Sequence, residues 1–133
     1  MPPAPEPEQF AYAVLRVVPH VERGEQFNAG VVVFSRRHRF LAARAELDER
    51  RLAALAPDVD AAQVREHLDA LVRIAAGHPA GGPVSALDAS DRFGWLVAPS
   101  STMIQPSPVH TGLCADPQVL LDRLFDELVA PVR

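Results

Sequence analysis

The sequence contains no lysine: all thirteen basic residues of the 133-residue chain are arginine. Schiff-base catalysis, phosphate binding by a P-loop lysine and a protein-kinase active site each need a lysine amine and are therefore excluded. The single cysteine, Cys114, rules out an intrachain disulfide and a cysteine-rich zinc site. Asparagine occurs once, as Asn28, and with the many alanines this composition fits the codon bias of a GC-rich genome. No apolar run approaches the ~20 residues of a membrane-spanning helix. The longest, Ala29 to Phe34, is strand-sized. The opening Met1-Pro2-Pro3-Ala4-Pro5-Glu6-Pro7-Glu8 is acidic and proline-rich, with neither the basic nor the apolar region of a signal peptide. A cytoplasmic location is the expectation, without a membrane partner.

What remains is the composition of one folded domain: 48% hydrophobic and 23% charged residues, enough for an ordinary core. Residues 1–8 read as a disordered polyproline-like arm, and residues 9–133 as a single α+β domain. The net charge of -4 argues against bulk electrostatic binding of nucleic acid. The charge is uneven, however. Residues 16–51 hold eight arginines against five acids, whereas residues 52–133 hold five against ten.

Phe10 to Val18 is β-branched and aromatic, apolar on both alternating faces except at Arg16, as in a strand covered on both sides. Phe27 to Phe34 is the strongest strand; Asn28 and Gly30 fall two apart on one face, and Gly30 marks a bulge or a close approach. The polar turn Ser35-Arg36-Arg37-His38-Arg39 joins it to a third strand, Phe40 to Ala45, as a hairpin. Asp48 caps a short helix closed by Pro57. Asp60 caps a longer one with the stripe Val64, Leu68, Leu71, Val72 and Ala75, stopped by Gly77 and Pro79. Phe93 to Val97 reads as a fourth strand with Trp95 in the core. Thr102 to Gln105 and Val109 to Cys114 are weaker strands parted by Pro106 and Pro108. Asp116-Pro117 opens a last helix with the face Leu121, Leu124, Phe125 and Leu128. The expected architecture is an antiparallel sheet of about four to six strands against two or three helices.

Four groups of residues bear chemistry. Glu22, Arg23, Glu25 and Asn28 place two carboxylates, a guanidinium and an amide within seven residues. They suit acid–base or anion-binding work, or a charged loop paired with itself. Ser101 or Ser107 with His110 and Asp116 would make a hydrolytic dyad and its orienting acid, but the Gly-x-Ser-x-Gly elbow is missing. The five histidines are scattered without metal-ligand spacing, so neither a metal nor a cofactor is expected. Arg36, Arg37 and Arg39 form a basic run without aromatic interleaving, which disfavours nucleic acid relative to a solvated hairpin tip.

Two stretches resemble a known family. Tyr12-x-x-Leu15-Arg16-Val17-Val18-Pro19-x-Val21-Glu22-Arg23-Gly24-Glu25-x-x-Asn28-x-Gly30-Val31-Val32 is similar to the opening of the bacterial domain-of-unknown-function family 3037. Arg92-Phe93-x-Trp95-Leu96-x-Ala98-Pro99, then Ser101-Thr102-x-x-Gln105-x-x-Pro108-Val109-His110-x-Gly112, resembles its C-terminal signature. Relatives are often encoded beside HipA-like kinases, so the resemblance implies such a kinase as a partner and a non-catalytic accessory role. If the strands of the two motifs are neighbours, Glu22, Arg23, Glu25, Asn28, Arg92, Ser101, Thr102, Gln105 and His110 converge on one cleft. Arg92 would then neutralise Glu22 or Glu25. Two other functions stay open: a phosphate or nucleotide site built from Arg23, Arg92, Ser101, Thr102 and His110, and nucleic-acid binding through Arg36, Arg37 and Arg39.

Overall fold

The computed structural model of the chain describes residues 6–131. The arm therefore lies largely outside the described residues; Glu6 and Pro7 are exposed, and Glu8 already belongs to the first strand. Five antiparallel strands form one sheet: β1 (Glu8–Val17), β2 (Phe27–Ser35), β3 (Phe40–Ala45), β4 (Ile104–Pro106) and β5 (His110–Cys114). Four helices accompany them: α1 (Glu49–Leu55), α2 (Ala61–Ala76), α3 (Ala89–Leu96) and α4 (Pro117–Leu128). The architecture is the α+β class expected.

Each helix starts at an aspartate whose carboxylate accepts backbone N–H groups of the first turn: Asp48, Asp60, Asp88 and Asp116. These caps satisfy donors that the helix itself leaves unpaired. The α2 stripe buries Val64, Leu68, Leu71, Ile74 and Ala75, so Ile74 takes the core position assigned to Val72.

Strand β1 is paired along both edges. On one side lies β2, followed by β3. On the other, β4 pairs with the Leu15–Val17 end and β5 with the Glu8–Tyr12 end, so the two short strands run end to end along β1. One face of the sheet packs Ala13, Leu15, Val17, Ala29 and Val32 against residues of α1, α2 and α3. The opposite face packs Val31 and Val33 against Leu120, Leu121, Leu124 and Phe125 of α4.

The segment expected as a fourth strand, Phe93 to Val97, is helix α3. Asp88 caps it through the Asp91 N–H, and Phe93 and Leu96, three apart, are its buried residues. Trp95 consequently points outward and is 48% exposed instead of lying in the core. A five-residue apolar run does not separate a short helix from a strand; here the cap decides.

A bulge changes the facing of the Asn28–Gly30 segment. Leu15 is opposite Gly30, but Arg16 is opposite Asn28, so the register slips by one residue. Ala29 and Gly30, although consecutive, both face the α2 side. Ala29 sits in that core, and a Cβ on Gly30 would lie 3.1 Å from Ala45 Cβ and 3.3 Å from Leu15 Cδ1. Asn28 and Gly30 are thus on opposite faces, contrary to the alternation read from sequence. Gly30 carries no side chain because two successive residues compete for one core position.

Replacing Gly30 with alanine should lower stability by about 1–3 kcal/mol, the usual cost of overpacking. The Arg44 carbonyl oxygen, 3.1 Å from the added Cβ, belongs to a paired strand and has little room to yield. Urea denaturation would register this as a lower midpoint at unchanged slope.

Candidate functional site

The first motif divides between a loop and a strand. Glu22, Arg23 and Glu25 are exposed in the loop between β1 and β2, where Arg23 Nε donates to Glu25 Oε1. His20 Nε2 lies 3.1 Å from Asp58 Oδ1, joining this loop to the α1–α2 connection, and His20 Nδ1 is 4.0 Å from Glu22. Such exposed pairs contribute little stability. Asn28 does something else. Its Nδ2 donates to the Leu128 carbonyl at 3.0 Å, which caps the C-terminal end of α4 from the sheet.

The second motif separates further. Arg92 on α3 donates to the carbonyls of Leu87 (2.7 Å) and Ala75 (3.5 Å) and lies over Gly77, the left-handed residue that ends α2. Its guanidinium thereby stabilises the carbonyl end of α2, and it neutralises neither Glu22 nor Glu25. Ser101 is exposed, while Thr102 is tied locally: Oγ1 donates to the Ile104 carbonyl at 2.9 Å and its own carbonyl accepts from Gln105 Nε2 at 3.0 Å. His110 stacks on Tyr12, ring centroids 5.1 Å apart.

The nine residues therefore do not form one cleft. Arg92 serves the α2 side of the sheet, whereas His110 pairs with Tyr12 on the α4 side, so an anion site cannot draw on both. What the sheet does bring together is a smaller set. Arg16 lies between Asn28 on β2 and Gln105 on β4, each directly opposite it in register. Toward the N-terminal end of β1 this face continues with Val14 and then, two positions further, with Tyr12 beside His110. Helix α4 packs mainly on β2 and β3 and much less on the β1–β4–β5 half of this face. Tyr12, Arg16 and Gln105 are half-buried there, and His110 is exposed. Among the described residues, Arg16 has neither a carboxylate partner nor a side-chain hydrogen bond.

The sequence signature described as "Protein of unknown function (DUF3037)" matches residues 12–129, nearly the whole folded region. The chain belongs to that family. No curated protein and no solved structure matches it. In this DUF3037 chain, Tyr12 and Arg16 belong to the first motif but not to the nine residues expected to converge, although Arg16 is the one charged residue within the apolar run Phe10 to Val18. That was the available signal.

The serine dyad is not formed. Ser107 is only 3% exposed; its Oγ accepts from the Val14 N–H at 2.8 Å and donates to the Pro108 carbonyl at 2.9 Å. With its hydroxyl committed to backbone, it is not poised for attack. The Cys114 thiol is pushed up from its ordinary range by partial burial and then by the Asp116 carboxylate, which suppresses the nucleophilic thiolate. Among the described residues, no three His, Cys, Asp or Glu side chains gather as a metal site, and no helix is long and apolar enough to cross a membrane.

Replacing Ser107 with alanine strands the buried Val14 N–H and should cost about 1–3 kcal/mol in a urea melt. A separate expectation concerns acid. The hydrogen bond from His20, then one from backbone, hold the Asp58 carboxyl below its ordinary value. A depressed folded pKa gives a contribution that is present above the unfolded value and lost as pH falls through the folded one. An NMR titration should place the Asp58 midpoint below that of an unperturbed aspartate, and His20→Ala should raise it.

Proposed function

We propose that this protein is a non-catalytic accessory protein that binds a protein partner through the β1–β4–β5 half of its α4-side sheet face. The observation that carries the reading is Arg16: a half-buried arginine without a carboxylate partner among the described residues, opposite Asn28 and Gln105 in register and near the tilted Tyr12–His110 ring pair. Arginine and tyrosine are the side chains that most often dominate binding energy at protein interfaces. Enzyme and cofactor sites are concave, and three sizeable concavities, of about 390, 600 and 360 Å³, are lined by other residues.

The HipA-like kinases encoded beside relatives supply the first partner to test. Co-expression should give a complex that survives size exclusion at micromolar concentration. Arg16→Glu should abolish it while leaving the melting temperature near wild type, since no intramolecular partner of Arg16 is lost. Arg16→Ala should weaken it at least ~30-fold, equivalent to a hot-spot loss of about 2 kcal/mol. Failure of the wild-type pair to associate, or indifference to both substitutions, overturns the proposal.

A further inference from the structure

The two edges of the sheet are protected unequally. Strand β3, at one edge, is flanked by α2 and α4. Strand β5, at the other, packs substantially only against β1, and no strand lies along its outer edge among the described residues. Natural proteins protect such an edge with charged side chains, proline, a bulge or a covering element, because a bare row of backbone donors and acceptors pairs with any extended chain. Strand β5, His-Thr-Gly-Leu-Cys, has no proline and no Asp, Glu, Lys or Arg. It instead displays Leu113, 68% exposed, the most exposed of the large apolar side chains.

Beside this edge lies a groove of about 600 Å³ whose apolar floor includes Ala11, Phe34 and Leu113. Arg36 and Arg37 from the β2–β3 turn form its wall. Arg36 bonds only to the Ser90 hydroxyl, and neither arginine has a carboxylate partner among the described residues. The turn itself is fastened down, with His38 Nε2 3.0 Å from the Cys114 carbonyl oxygen and Ser35 Oγ donating to the Gln9 carbonyl at 2.8 Å. The two positive charges are therefore held across the groove from β5, with β1 forming the floor between them.

We propose that this edge receives an extended acidic segment of a partner protein, added as a further antiparallel or parallel strand on β5. Backbone pairing would supply the alignment, an apolar side chain would pack on Leu113, and carboxylates would reach over the groove toward Arg36 and Arg37. A second copy of this chain is the poorer occupant. Its β5 carries no carboxylate and would leave the arginines of both copies unneutralised. The site is separate from the Arg16 face and goes beyond the function proposed above.

The test uses the full chain and a fluorescein-labelled peptide, Glu-Val-Glu-Val-Glu-Val-Glu, read by anisotropy at low salt. Saturable binding should appear, weaken at least tenfold in the Arg36→Glu/Arg37→Glu double variant, and persist in Arg16→Ala. The peptide with alternate backbone nitrogens methylated should also bind at least tenfold more weakly, since strand addition needs those N–H groups. Circular dichroism melts of the double variant should match wild type, both arginines being exposed. Four results would overturn the proposal: no binding at millimolar peptide, equal binding by the methylated peptide, equal binding by the double variant, or tighter capture of oligothymidylate than of peptide. Self-association through Leu113, detected by sedimentation and abolished in Leu113→Asn, would likewise replace the acidic partner with a second copy.

Discussion

Strand β1 must find hydrogen-bond partners along both edges, and on one of them the chain offers a strand cut by two prolines. Pro106 and Pro108 cannot donate to a ladder, and Val14 lies opposite the gap between them. Ser107 closes it from both directions: its N–H donates to the Val14 carbonyl at 2.8 Å and its hydroxyl accepts the Val14 N–H at 2.8 Å. Without that pair, a three-residue strand and a five-residue strand would have to hold their places on β1 separately. A net gain of about 1 kcal/mol per hydrogen bond is modest, but a buried unpaired N–H costs more than that gain. The same commitment takes the hydroxyl out of chemistry.

Beyond this junction, the placement of the recognition residues follows from the bulge at Ala29–Gly30. Had β2 kept strict alternation, Asn28 would face the α2 side, away from Arg16. The one-residue slip turns it toward α4, where it caps the Leu128 carbonyl and borders Arg16. Arg16 also follows the slip, because it is the first residue of β1 after it. One glycine without room for a Cβ thus links the packing of one core to the polar surface on the opposite face.

The hairpin and three of the four helices with their aspartate caps were legible in the sequence because their signals are local: periodicity, a capping carboxylate, a stop at glycine or proline. Helix α3 was misread since Phe93-Gly94-Trp95-Leu96-Val97 is too short for its period to speak, and the deciding cap, Asp88, stands five residues upstream. Of the nine candidate residues, Asn28, Arg92, Gln105 and His110 stand on strands or helices, Glu22, Arg23, Glu25, Ser101 and Thr102 lie in loops, and the nine do not share one surface. Asn28 and Arg92 find their partners 100 and 17 residues away in backbone carbonyls, and nothing in residue type announces a carbonyl as the partner. Which residues share a face depended on a bulge and on β4 and β5 both joining β1. Neither is encoded in spacing. Arg16 was visible as an anomaly, a charge in an apolar strand, but its environment comes only from the two strands beside it.

The Arg16 surface and the β5 edge share a physical property that the Glu22–Arg23–Glu25 loop lacks. Their side chains stand on strands paired with β1 or, for Arg36 and Arg37, on a turn fastened by the His38 and Ser35 ties. A side chain so placed loses less freedom on binding than one on a loop, so more of its contact energy survives as affinity. The loop arginine, by contrast, already spends its charge on Glu25 in solvent, and a partner would have to break that pair before making another. Arg16, Arg36 and Arg37 have no such internal competitor among the described residues. In a chain of net charge -4, uncommitted cations on a fixed backbone are positions where an external anion adds energy without displacing one.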